Sequence, residues 1–250
     1  MRFGARLGKV EVNEDKVSAI VLGSRDYKEK DKLVELFTLE EGLKTVVLKG
    51  VKNANAKFKF AKEPFCFGEF VLSGQNQIQV VTSANLVESF FDLTQNYDRY
   101  LAGCKVLGLI PVFLEKYQTN SDFFLLTLKT LRELTYSQTD EKLIICTFLT
   151  KAFAQIGYKI NVVNCASCGS PFAGQIYLNA DTCEVVCQNC RTFYNVPISA
   201  ACHNAIKILS KCEIDSINTI KISSDVLADM LKIYQIILQS RFSYRGSILN

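Results

Sequence analysis

Phe65-Cys-Phe-Gly-Glu-Phe-Val-Leu72, Ser73-Gly-Gln-Asn76 and Gln77-Ile-Gln-Val-Val-Thr82 read as a strand, a hairpin turn and a second strand. Large apolar residues alternate with small or polar ones in both runs, and a Gly/Asn-bearing tetrad separates them. Working back from this hairpin, three more runs carry the same signal. Leu43–Val51 is rich in β-branched residues and follows a turn at Glu40-Glu41-Gly42. Lys32–Thr38 and Val17–Gly23 precede it. Five short strands in succession match a small closed barrel of the OB type, and strand count alone leaves an SH3-like barrel open. Residues 1–14, with Val10-Glu11-Val12, read as a short strand, an arm or a leader.

After Ser83 the apolar period becomes helical. The pattern predicts a short helix over Asn85–Leu93 and a longer one over Tyr97–Tyr117 that Pro111 kinks or splits. A third is capped by Ser121 or Asp122 and runs to about Tyr136. A fourth starts from the cap Asp140 and ends at Gly157. Ser199–Ser210 and a final segment from Ser223 or Ser224 are also helical. The expected fold is therefore α+β. A five-stranded OB-type barrel occupies residues 1–83, with 1–14 as a leader. An all-α domain over 84–250 carries an inserted four-cysteine zinc finger at about 162–196.

The insert is read from Cys165-Ala-Ser-Cys168, an 18-residue spacer, and Cys187-Gln-Asn-Cys190. A two-residue gap lets one tight turn aim two sulfurs at one point, and two such turns make a tetrahedral thiolate cage. With all four positions filled by protein, one zinc ion would be a structural staple with no open site for substrate. Cys183, four residues before Cys187, is the competing ligand. Cys66, Cys104, Cys146, Cys202 and Cys212 lie in or beside apolar stretches and read as small buried hydrophobes.

At 48% hydrophobic and 22% charged residues, the composition is that of a folding chain rather than a disordered one. The longest apolar runs, Leu107–Leu114 and Leu143–Leu149, are far shorter than a membrane span. The start of the chain lacks the apolar stretch of a secretory signal, so the expected compartment is the cytoplasm. Catalysis has little to stand on. His203 is the lone histidine, and no phosphate-binding glycine loop, nucleophile elbow or zinc-protease motif occurs. Glu29 and Asp31, set among Lys28, Lys30 and Lys32, read as a salt-bridged turn rather than an acidic metal site. The expectation is a protein that is not an enzyme.

The net charge of +4 is unevenly spread. From residue 84 onward 15 basic residues nearly cancel 14 acidic ones, so the excess lies N-terminally. Between Leu43 and Lys62 stand Lys44, Lys49, Lys52, Lys57, Lys59 and Lys62, with no acid. Phe58 and Phe60 interleave with them. The pattern fits phosphate neutralisation plus base stacking, and it equally fits a solvated loop whose phenylalanines cover the barrel end.

Several short stretches together resemble the N-terminal signature of the bacterial recombination mediator family RecO. They are Tyr27-Lys28-Glu29-Lys30-Asp31, Leu36-Phe37-Thr38-Leu39-Glu40-Glu41-Gly42, Lys49-Gly50-Val51-Lys52 and Pro64-Phe65. The cysteine pairs within a helical domain are similar to that family's zinc module. The resemblance implies an OB-fold DNA-binding domain, binding of single- and double-stranded DNA, and annealing of complementary strands. It also implies work with RecR to load the RecA recombinase onto strands coated by single-strand-binding protein (SSB), and contact with the acidic C-terminal tail of SSB. The DNA-binding residues expected are Arg25, Lys28, Lys30, Lys44, Lys49, Lys52, Lys57, Lys59 and Lys62, in a nucleoid-associated protein with no membrane partner. For the SSB tail the chemistry suggests a hydrophobic groove rimmed by bases such as Lys105, Lys116 or Arg132.

Overall fold

The computed structural model describes residues 14–74, 78–116 and 118–249. The stretch Val10-Glu11-Val12, the second half of the Ser73–Asn76 turn and Gln77 lie outside them. The chain divides into two compact units, one ending at Ser89 and the other starting at Phe90.

In the first unit five strands close into a barrel in the order β1-β2-β3-β5-β4. They are β1 (Glu14–Tyr27), β2 (Asp31–Thr38), β3 (Gly42–Leu48), β4 (Phe67–Ser73) and β5 (Gln79–Glu88). An odd number of strands cannot alternate direction all the way round a ring, so one neighbouring pair must run parallel. Here that pair is β3 and β5, joined at Val46–Gln79 and Val47–Val80. The closure is of the OB type, and the SH3-like alternative falls away.

β1 is twice its expected length. Its first half pairs with β4 and its second half with β2, which is how one strand serves both edges of the closing sheet. The register shift between Val21 and Gly23 leaves Leu22 unopposed, a bulge that bends the strand through the corner. Inward positions follow the period of two: Val17, Ala19 and Val21; Val34 and Leu36; Val46 and Leu48; Phe70 and Leu72. At Gly68 a Cβ would come within 2.4 Å of the Asn85 carbonyl oxygen, so β4 and β5 approach there only because no side chain intervenes.

The helix expected over Asn85–Leu93 is not formed. Ser83–Leu86 continue β5 against Gly68–Val71, and only a 3-10 turn, Phe91–Gln95, follows. Leu86 and Val87 are exposed on this strand, so their spacing had imitated a helical apolar stripe. β4 also starts two residues later than expected. Phe65 is buried with a φ of 72°, and its amide and the Cys66 carbonyl bond to Val21.

The second unit is built from α1 (Tyr97–Phe113), α2 (Ser121–Tyr136), α3 (Glu141–Gln155), α4 (Ala200–Lys211) and α5 (Ser224–Phe242). α3 is apolar on nearly every side and is the central element, touched by all four others. Its Phe153 packs ring to ring with Phe113 of α1 and Phe242 of α5, which also meet each other. Pro111 does not split α1. It lies in the last turn, and the helix ends at Phe113 rather than Tyr117. The cap of α2 is Asn120, not Ser121 or Asp122; its Oδ1 accepts the Phe123 amide. Asp140 caps α3 as expected. Gly157, at a φ of 89°, closes that helix with paired bonds from Gly157 and Tyr158 to Ala154 and Phe153. Between α3 and α4 a three-stranded sheet of order β7-β6-β8 projects, made of β6 (Ile176–Asn179), β7 (Glu184–Cys187) and β8 (Val196–Ile198). No helix among the described residues is long and apolar enough to cross a membrane.

Candidate nucleic-acid interface and metal centre

The β1–β2 turn carries Lys28 and Lys30 beyond the barrel wall. The β3–β4 connector begins beside it, because Lys32 pairs with Leu48 in register. Two bonds lock the pieces together: the Gly50 amide donates to Asp31 Oδ1 at 2.8 Å and the Lys52 amide to the Lys30 carbonyl at 3.2 Å. Asp31 is thereby a turn brace, and Glu29 is an exposed neighbour. Lys28, Lys30, Lys49 and Lys52 are thus gathered at one end of the barrel, all exposed, with Lys57 and Lys59 exposed further along the connector.

Pairing sorts these cations. Among the described residues Lys28, Lys30, Lys49 and Lys57 have no carboxylate at ion-pair distance. Arg25 pairs with Glu35 at 2.8 Å, Lys52 with Asp26 at 3.1 Å and Lys62 with Glu63 at 3.0 Å. Asp26 also binds Lys32, and these two ammonium groups hold its carboxyl below the usual carboxylate range. Lys28 lies 5.1 Å from the Tyr27 ring centre, and Lys59 donates to the Ala54 carbonyl. Lys44 departs from expectation. Its ammonium is nearly buried, held by Glu41 at 2.5 Å and Gln79 at 2.6 Å, so it offers no surface to a ligand. Phe58 and Phe60 also resolve to the covering role. They pack with Val51 and Ala61 on the barrel core, Phe60 lying 6.4 Å from Phe70, and so are not free to stack bases.

In the helical unit the four cysteine sulfurs lie within 4.8 Å of one another. Cys165 and Cys168 sit in a tight turn closed by the Gly169 amide on the Cys165 carbonyl. Cys187 ends β7, and Cys190 follows in a 3-10 turn. The Cys168–Cys187 sulfur separation of 3.9 Å matches the edge, about 3.8 Å, of a tetrahedron built on 2.3 Å metal–sulfur bonds. Backbone amides of Cys168 and Cys187 bring Cys165 down to about 6, while hydrogen bonding to Cys168 and Cys187 pushes Cys190 up to about 12. Ser170 lowers Cys168. The cluster can hold one metal ion.

Cys183 is not part of it. It is buried in the β6–β7 turn at a φ of 58°, and burial pushes its thiol up to about 11. Cys66, Cys146 and Cys202 are buried as expected, but Cys104 is exposed. His203 is half-buried and structural: its Nε2–H donates to the Val162 carbonyl at 2.9 Å, and its ring meets the Phe172 ring at right angles.

Two family sequence models cover nearly the whole chain. The one described as Recombination protein O N terminal matches residues 13–90, and Recombination protein O C terminal matches residues 94–242. The chain belongs to the RecO family of DNA repair and recombination proteins. Relatives named DNA repair protein RecO include that of Clostridium novyi, 29% identical across 94% of this chain and 91% of its own. That of Desulforamulus reducens is 25% identical across 86% and 84%. The RecO of Caldicellulosiruptor saccharolyticus is 26% identical across 90% and 93%.

One feature escaped the sequence reading. A cavity of about 390 Å³ opens between α2, α3 and α4, with Leu125, Leu126, Ile160 and Ile206 in its lining and Lys151 and Lys159 beside them. Neither Lys116 nor Arg132 lines it. Lys105 faces a separate, smaller pocket that it shares with Asp98 and Glu141. The cavity residues come from segments more than eighty positions apart in sequence, as from Asp122 to Ile214, so no local pattern announces it.

Proposed function

We propose that this RecO-family protein is a DNA-annealing and recombinase-loading factor whose barrel end binds the phosphate backbone of single- and double-stranded DNA. The observation that carries the reading is the exposure of Lys28, Lys30 and Lys49 at one end of an OB-type barrel, and of Lys57 further along the connector, with no carboxylate at ion-pair distance among the described residues. Cations without partners attract phosphate and release its condensed counterions, whereas Arg25, Lys52 and Lys62 are largely offset by their own acids. Shielding the charge of two strands lets their bases approach and pair, so annealing needs no covalent step. The family relationship supports the remaining partners: RecR, SSB, and through them the RecA recombinase. The acidic, aromatic-ended SSB tail would seat its apolar end in the cavity of the helical unit and its carboxylates on Lys151 and Lys159. The ion in the Cys165, Cys168, Cys187 and Cys190 cluster would be a structural zinc.

An annealing assay tests this reading, with complementary strands bare or coated by SSB. The expected result is faster annealing of both. Failure on coated strands, or a clear preference for RNA over DNA in competition, would replace it with a zinc-bearing interaction factor of transcription or translation.

A further inference from the structure

Phe193 and Tyr194 are 96% and 81% exposed, the largest values for bulky apolar side chains among the described residues. They stand together on the loop between Cys190 and β8. Isolated exposed hydrophobes are ordinary, but two adjacent, nearly bare rings on an anchored loop mark a contact site. The anchoring is visible on both sides. Asn195 Oδ1 accepts the Thr192 amide and hydroxyl at 2.5 and 2.9 Å. Arg191 donates to the Tyr177 hydroxyl at 2.7 Å and lies over its ring. The two rings meet nearly edge to face, centres 5.7 Å apart, which leaves open faces on the pair.

The surrounding chemistry selects the occupant. In sequence the loop lies between Glu184 and Glu213 with no acidic residue from Val185 to Cys212, and Arg191, two positions before Phe193, is the charge on the loop itself. The rings rise from polar neighbours, Gln188, Asn189, Thr192 and Asn195, rather than from the contiguous apolar patch that a protein partner would bury. Protruding rings beside a cation suit unpaired bases, whose faces are open; in a duplex those faces are already covered. We infer that Phe193 and Tyr194 form a stacking platform for the bases of single-stranded DNA, a contact separate from the lysines of the barrel. The inference rests on the proposed DNA-binding function and adds a strand-selective site to it.

The chain contains no tryptophan, so Phe193→Trp would install a sole tryptophan at the platform, excited selectively over the ten tyrosines at the red edge of absorption. With the full, metal-loaded chain and an oligo(dT) of about 30 nucleotides, longer than one barrel's usual site, its emission should be quenched on binding. Duplex of the same length should leave it unchanged. In parallel, F193A/Y194A should weaken oligo(dT) binding about five-fold or more, the factor equal to the low end of one base–aromatic stack, with duplex affinity and metal content retained. Oligo(dT) binding by anisotropy without quenching, or equal quenching by duplex, would overturn the inference while leaving the barrel's role intact. Unchanged oligo(dT) affinity of the double variant would overturn it too and leave a protein as the partner. If the unaltered chain binds no DNA, the inference and the functional reading both fall.

Discussion

Replacing Lys28, Lys30, Lys49 and Lys57 together with glutamine removes four exposed barrel lysines that have neither a carboxylate at ion-pair distance nor, as Lys59 has, a backbone carbonyl holding the ammonium, and touches no buried contact. If each meets one phosphate of a single strand, each contributes about 0.7 to the slope of log affinity against log salt, so the four account for a slope of nearly −3. Between about 50 and about 200 mM salt their share of the affinity is then about 50-fold. The variant should bind more weakly at low salt and show a salt slope flatter by about 3. Lys44→Gln is the matched control. It also removes one positive charge from the same lysine-rich segment, but that charge is held inside by Glu41 and Gln79, so stability should fall while the slope stays put. Fluorescence anisotropy with labelled oligonucleotide across a salt series reads both. An unchanged slope in the quadruple variant, or a Lys44→Gln slope as flat as the quadruple one, would refute the assignment of partnerless lysines as the phosphate contacts.

Other outcomes follow from the packing. Arg99→Ala should cost about 3 kcal/mol by urea midpoint, because its guanidinium donates to the buried-side carbonyls of Leu134 and Thr139 at 2.6 and 2.8 Å and both lose a charged donor. Gly68→Ala should destabilise the barrel and raise amide exchange along β4 and β5, since the new methyl meets backbone that cannot swing aside. Chelation of the metal should abolish exchange protection in β6–β8 and leave protection of β1–β4 unchanged; full protection of β6–β8 in metal-free protein would show that the ion is not the staple. Burial holds the His203 imidazole below its ordinary value of 6.5, so below that pH the unfolded chain binds a proton the native state refuses. Stability should therefore decline as pH falls from 6.5 toward the lowered native value, and a His203→Gln protein should lose less of its urea midpoint over that interval.

Much of this molecule was legible because its signals are local. The alternation of Val17, Ala19 and Val21 against Val46 and Leu48 is a two-residue period, and the cysteine pairs carry their geometry in their spacing. What escaped was set by partners distant in sequence. Ser83–Leu86 form strand rather than helix because β4 supplies a ladder for them. The outer end of β1, Ser24–Tyr27, pairs with β2 as a hairpin arm with no core to impose a pattern. At the site, nothing within the run from Leu43 to Lys62 distinguishes Lys44 from Lys49. The first is held by Glu41, just before the run, and by Gln79, thirty-five positions away, which together bury it; the second meets no acid. Likewise Phe58 and Phe60 read as base stackers or as covers until Phe70 and Ala61 are brought beneath them.

The place of the lysines has a topological cause. Five strands closing a ring require one parallel pair, and parallel neighbours cannot be joined by a hairpin. The chain must therefore leave β3, pass over the slot that β5 will fill, form β4, and return by the β4–β5 connection into the gap. The segment from Lys49 to Cys66 makes that passage, and crossing two strand spacings needs only about 10 Å. Its surplus length folds over the barrel end, where Val51, Phe58, Phe60 and Ala61 turn inward as a plug. A segment committed on one side to the core has one side left, and on it stand Lys49, Lys57 and Lys59. Closure of the barrel thus produces a two-faced connector, apolar within and cationic without, braced by Asp31 against the turn that carries Lys28 and Lys30. Asp31→Ala would loosen the two halves of the surface, leaving only the Lys52 amide on the Lys30 carbonyl between them, without removing a cation. Strand affinity should then fall by several-fold while the salt slope, which counts charges, changes little. A slope that flattened as much as in the quadruple lysine variant would mean that the brace supplies the charge pattern itself, and that the connector alone is not the cationic element.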